Sequence, residues 1–202
     1  MSIKSKLRKA IKWVSDSYLV WRVKNLKPII LYGVYRQPLN PVQKKVLDDL
    51  NKNGIAITHV DDLLSNLTIF KELEAFVNDV ETNKKSEIED ARKQADEVSQ
   101  KKDFIYQLLG DKPTLNPDDI NVKFALHNEI LEIVNGYFGC LTKLRFYNIW
   151  HTFISHSGPR RSMLWHRDPE DKWIVKVFLY LNDVDEGAGL FVYAPGTHQK
   201  AM

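Results

Sequence analysis

Cysteine is almost absent from this 202-residue chain. Cys140 stands alone, which excludes an intramolecular disulfide and any multi-cysteine zinc module. No apolar run approaches the roughly 20 residues that a membrane-spanning helix needs, and charges interrupt every apolar stretch before residue 28, which argues against a secretory signal. No internal repeat or low-complexity tract occurs. Without a leader or paired cysteines, the expected compartment is the cytoplasm. What remains is ordinary globular material: 44% hydrophobic, 27% charged and 11% aromatic residues.

Acidic residues are missing from the start of the chain. Residues 1–36 carry nine basic groups and one acid, Asp16, for a net +8, while the remaining 20 basic and 25 acidic groups leave −5. Ile3, Leu7, Ala10, Ile11 and Val14 keep a helical spacing. Two readings stand for this arm: weak contact with an anionic membrane surface, or a solvated basic helix docked on the domain by its apolar stripe. It carries no nucleic-acid motif, and no nucleic-acid partner is expected. The division expected is a basic arm over 1–36 and one domain over 37–202.

Asn40 and Pro41 predict a helix start, Val42, Val46, Leu47 and Leu50 its buried face, and Gly54 its end, with a short strand at Ile55–Thr58. Asp61 or Asp62 opens a further turn. Residues 71–103 hold 17 charged positions of 33 in mixed sign, the pattern of an exposed helix laced with i,i+4 pairs. A second helix is expected from Asp118 to Asn135, closed by Gly136. Beyond Gly139 the texture changes. Leu141–Ser155, Trp173–Asn182 and Gly189–Ala194 read as strands separated by turns at Gly158-Pro159, Asp168-Pro169 and Pro195-Gly196. Helices at 41–135 followed by strands from about 142 make the fold class α+β.

The sharpest local feature is Trp165-His166-Arg167-Asp168. On an extended strand, His166 and Asp168 share a face, and an imidazole beside a carboxylate suits a first-row metal. A hydrogen-bonded His–Asp pair inside a sheet is the alternative. The run from Trp165 to Asp171, then Val175 to Val184, then Gly187 to His198 with its Pro195-Gly196-Thr197-His198 turn, resembles the phytanoyl-CoA dioxygenase-like family. The helix and glycine within Val42–Thr58 look like the family's opening.

The resemblance implies a double-stranded β-helix, or jelly roll, with helices packed on one sheet. It implies Fe(II) held by His166, Asp168 and a later histidine, with 2-oxoglutarate as co-substrate and dioxygen and a small organic or lipid-like molecule as reactants. An arginine from the later strands would anchor 2-oxoglutarate. A jelly roll has eight strands, and the residues after Thr142 have room for about four at ordinary strand lengths. The expectation is therefore a chain that stops before the distal histidine and the arginine. The alternative function is a non-catalytic fragment or pseudo-enzyme of the same fold, acting as a binding or assembly module.

Around this motif, Lys176, Tyr147 and Trp150 are candidate cofactor contacts. Lys176 could pair with Asp168, the substrate or a 2-oxoglutarate carboxylate, and Tyr147 and Trp150 could line the pocket; each has a plain core reading beside it. His151 and His156 flank a strand near the motif, as ligands or as solvent-facing positions. His198 reads as a turn residue, and His59 and His127 as structural. Arg160 and Arg161 offer charge to an anionic substrate, or a loop pair in water. No catalytic acid or base is assigned.

Overall fold

The computed structural model describes residues 17–94, 104–153, 164–166, 174–184 and 190–198. Among them are eight helices and one antiparallel strand pair, a mixed and helix-rich chain with most helices preceding the later extended segments. The described residues divide into two compact units. One lies within Met1–Thr58, Asn128–Lys143 and Pro195–Met202, the other within His59–His127 and Leu144–Ala194.

The first unit begins with helices α1 (Tyr18–Lys24) and α2 (Leu26–Tyr35). Ser17 caps α1, its hydroxyl accepting from Val20 N–H at 3.4 Å. Asn25 separates the two helices with φ −107°: its N–H returns to Trp21 O as the last rung of α1, and Ile29 N–H reaches Asn25 O as the first rung of α2, both at 3.0 Å. Next comes α3 (Pro41–Asn53), which has the local signals in full. Asn40 Oδ1 accepts from Gln43 N–H and Gln43 Oε1 accepts from Asn40 N–H, a capping box with Pro41 in the first turn. At the other end Gly54 takes φ 75°, a conformation that favours glycine.

Helix α3 packs on α8 (Asn128–Phe138). Gln43 is buried, and its side-chain NH2 donates to Glu129 O and to Glu132 Oε2 at 3.1 and 2.8 Å. Its oxygen is already used in the cap, so this buried amide is satisfied. Two turns on, Gly136 lets Leu47 approach: a Cβ there would lie 3.1 Å from Leu47 Cδ2 and 3.6 Å from the Tyr32 hydroxyl. Gly136 therefore lies inside α8 as a point of close approach. The predicted stop falls instead at Gly139, φ 65°, where Cys140 N–H returns to Asn135 O. Asn135 Oδ1 then takes both Thr142 N–H and the Thr142 hydroxyl, fixing the exit.

The second unit contains α4 (Val60–Leu63), α5 (Thr68–Asn83), α6 (Lys85–Gln94), β1 (Ile105–Gln107), α7 (Ile120–Ala125) and β2 (Trp150–Thr152). Leu73 and Val77 bury one face of α5, and Phe70, one turn earlier, meets Phe124 of α7 with ring centroids 6.5 Å apart. Leu64, Leu108, Val122 and Phe153 are buried in the same unit. Each such side chain contributes about 1.5–3 kcal/mol of burial. Strand β1 pairs with β2 through Ile105–Thr152, Tyr106–His151 and Gln107–Trp150. Bonds from Leu108 N–H to Ile149 O and from Phe153 N–H to Phe104 O extend the register by one residue each way.

Several expectations change. Residues 55–58 form no strand; Ile57 is exposed, and no strand pairs with the segment among the described residues. The charged stretch makes two helices, α5 and α6, parted at Lys84, with residues 95–103 outside the described set. The single helix expected at 118–135 is α7 and α8, broken at Leu126–His127, where the chain leaves one unit for the other. Of the strand expected over 141–155, only 150–152 forms a ladder. Residues 174–180 and 190–194 form none among the described residues, but they run side by side. Phe178 stacks on Phe191 at 4.9 Å, and Phe191 N–H reaches the Tyr180 hydroxyl at 3.3 Å.

Candidate functional site

His166 is exposed, in the short described segment 164–166. Its Nδ1 lies 2.7 Å from Leu164 O. A carbonyl only accepts, so Nδ1 carries the proton and, in the neutral ring, Nε2 holds the lone pair. A backbone carbonyl on one ring nitrogen is the usual way a metal-ligating imidazole is oriented. The donor chemistry of His166 therefore fits a metal such as Fe(II). Asp168, the second expected ligand, lies outside the described residues, as do His156, Arg160 and Arg161. Among the described residues, no group of three His, Cys, Asp or Glu side chains is placed to hold a metal ion.

The three candidate cofactor contacts are placed as follows. Tyr147 is half-buried and its hydroxyl donates to Thr114 O at 2.9 Å, which pins the 111–116 loop; burial, then nearby Asp119, pushes its phenol upward. Trp150 sits on β2 opposite Gln107 and is 45% exposed. Successive strand residues point to opposite faces, so Trp150 looks away from the face that His151 presents. Lys176 is exposed on the extended 174–180 segment. His198 is half-buried, and its Nδ1 makes no hydrogen bond. The turn beside it is tied by Gly196 N–H to Asn53 O at 2.7 Å.

The structure assembles a polar cluster that sequence reasoning missed. Tyr106 and His151 are direct cross-strand partners, so their side chains share a face of the β1–β2 ribbon. His151 Nδ1–H donates to Glu81 Oε1 of α5 at 2.8 Å, and the Tyr106 hydroxyl donates to Glu87 Oε2 of α6 at 2.5 Å. Phe153, two residues on from His151, packs its ring 5.2 Å away. The Glu87 bond, with lesser contributions from burial and from that carboxylate's charge, pushes the Tyr106 phenol up to about 12. The Glu81–His151 pair is over a third exposed on both sides, so its worth is on the order of 1 kcal/mol or less. Alternation in 150–153 was the available signal for His151; nothing local links it to a glutamate 70 residues earlier.

Cys140 is buried, and burial pushes its thiol upward, away from nucleophilic use. No helix among the described residues is long and apolar enough to cross a membrane. No protein-family model matches the chain, and comparisons with curated proteins and with solved structures find no match.

Proposed function

We propose that the chain carries part of an Fe(II)- and 2-oxoglutarate-dependent dioxygenase of the phytanoyl-CoA dioxygenase-like kind, built on a double-stranded β-helix and hydroxylating a small organic or lipid-like substrate. The observation that carries this reading is the ordered run of motifs, Trp165-His166-Arg167-Asp168 and then Pro195-Gly196-Thr197-His198, joined by two apolar segments. The tautomer set by Leu164 O on His166 supports it. His166 and Asp168 would hold the metal. Bound Fe(II) with 2-oxoglutarate supplies the oxidation: dioxygen is consumed, 2-oxoglutarate becomes succinate and carbon dioxide, and a substrate C–H bond becomes C–OH. Lys176, as a cation on an otherwise apolar segment, would attract a carboxylate of the co-substrate.

The test is Fe(II) binding by equilibrium dialysis, together with succinate release from 2-oxoglutarate in air. The chain is expected to bind Fe(II), with affinity lost at least about tenfold in His166→Ala and in Asp168→Ala. Metal binding unchanged in both variants overturns the site.

One observation favours a second reading, a binding module of the same fold. Phe178, Tyr180 and Phe191 stand exposed and in mutual contact on neighbouring extended segments, and a grouped apolar surface of this kind marks an interaction site. No Fe(II) bound by the parent chain would favour that reading.

A further inference from the structure

Helices α1 and α2 present two different faces. Toward the unit they belong to, Pro28 O accepts from Leu141 N–H at 3.1 Å, and the Tyr32 hydroxyl lies against Gly136. This face is already docked. On the other face Leu19, Val23, Leu26, Ile30 and Val34 are 75%, 75%, 57%, 56% and 68% exposed. At 3.6 residues per turn Leu19 and Val23 share one face of α1, and Leu26, Ile30 and Val34 share one face of α2, a row about 12 Å long on that helix. Five large aliphatic side chains exposed on two successive helices are not scattered surface residues.

Charge says what would cover these rows. Arg22 lies beside the α1 row and Lys27 beside the α2 row, with Lys24 and Arg36 at the ends of the two helices. Arg22 is held in place, its guanidinium 5.7 Å from the centre of the Tyr18 ring. No acid occurs from Ser17 to Leu47. Apolar rows with cations beside them match the boundary between acyl chains and anionic headgroups, with the helices lying flat. Neither helix is long enough to cross a bilayer. A second copy of the chain would set the same cations against themselves in a two-fold contact. A nucleic acid would engage the cations and leave the aliphatic rows in water.

We propose that the outward face of α1 and α2 is a docking surface for an anionic lipid bilayer, with the aliphatic rows of the two helices entering the headgroup boundary and Arg22 and Lys27 pairing with lipid phosphates or carboxylates. The proposal is independent of the dioxygenase reading. The experiment is co-sedimentation of the full chain with vesicles of phosphatidylcholine alone and of phosphatidylcholine with about one-quarter phosphatidylserine, at low and high salt.

Binding is expected to require phosphatidylserine and to weaken with salt. Leu26→Asp/Ile30→Asp should lower vesicle partitioning by about tenfold or more, and Arg22→Glu/Lys27→Glu should remove the preference for anionic lipid. Both pairs are exposed, and an unchanged circular dichroism spectrum and melting temperature check the fold of each. Equal binding to both vesicle types, or partitioning unchanged in either double variant, overturns the proposal. So does a concentration-dependent dimer that Leu26→Asp/Ile30→Asp dissociates in a protein that ignores vesicles, because the row is then a self-interface.

Discussion

Tyr106 and His151 stand opposite each other on the β1–β2 ribbon and bond glutamates on two successive helices, Tyr106 to Glu87 of α6 and His151 to Glu81 of α5. One cross-strand pair thus fastens the ribbon on both sides of the Lys84 break between those helices. Such a clip orients the ribbon through two directional contacts, where apolar packing alone would allow it to slide.

The clip has a pH signature. The Tyr106 phenol is raised from its ordinary 10.0 to about 12 by its bond to Glu87. The folded state therefore keeps a proton that the unfolded chain releases, and the stability this confers is intact below about pH 10. It is lost as pH rises from there toward 12. Phenolate absorbance should show a tyrosine titrating near 12 that disappears in Tyr106→Phe. Denaturation melts from pH 10 toward 12 should fall more steeply for the parent than for the variant. Equal slopes would show that the bond is not retained in solution.

Gln43 ties the start of α3 to α8 through two bonds from one buried side chain, whose oxygen also closes the cap at Asn40. Gln43→Ala leaves Asn40 N–H and two Glu-borne acceptors without this partner, and should cost about 1–3 kcal/mol in urea unfolding. Gln43→Glu keeps the size but sets a carboxylate against Glu132. It should be worse than Gln43→Ala at neutral pH and should recover as pH falls through the carboxylate range. A Gln43→Glu variant as stable as the parent at neutral pH would contradict the observed pairing.

Two glycines near the end of α8 should respond differently to the same methyl group. Gly139→Ala meets no atom within 4 Å but must hold φ 65°, which costs about 1–2 kcal/mol; asparagine there should cost less. Gly136→Ala gains up to about 1 kcal/mol of helix propensity, offset by its 3.1 Å approach to Leu47, and should lie near zero. The comparison is made on denaturation midpoints. A larger loss at Gly136 than at Gly139 would reverse the assignment of the two.

What could be read from the sequence was local. Asn40, Pro41, Gln43 and Gly54 specify α3 within its own span, because caps and left-handed ends depend on neighbouring residues. The break at Leu126–His127 has neither proline nor glycine to announce it; it falls where the chain changes units, a tertiary matter. Gly136 looked like a terminator because glycine serves both chain reversal and close packing, and only the position of Leu47 distinguishes the two. The site divides in the same way. The His166 motif is contiguous and could be named, whereas the Tyr106–His151 clip draws on four segments with no common pattern.

The first unit is interrupted in sequence, and this bears on how the chain is made. Gln43 finds its acceptor at Glu129, 86 residues later. At synthesis rates of about 5–20 residues per second, α3 waits about 4–17 s for the helix that completes its packing. For that interval Leu47 and its apolar neighbours have no α8 to rest on, while His59–His127 is being delivered to the other unit. Newborn chains of this protein thus pass through a stage in which α3 exists without the helix it packs on. Slow synthesis across residues 59–127 would prolong that exposure, so codon usage in the second unit sets the hazard borne by the first.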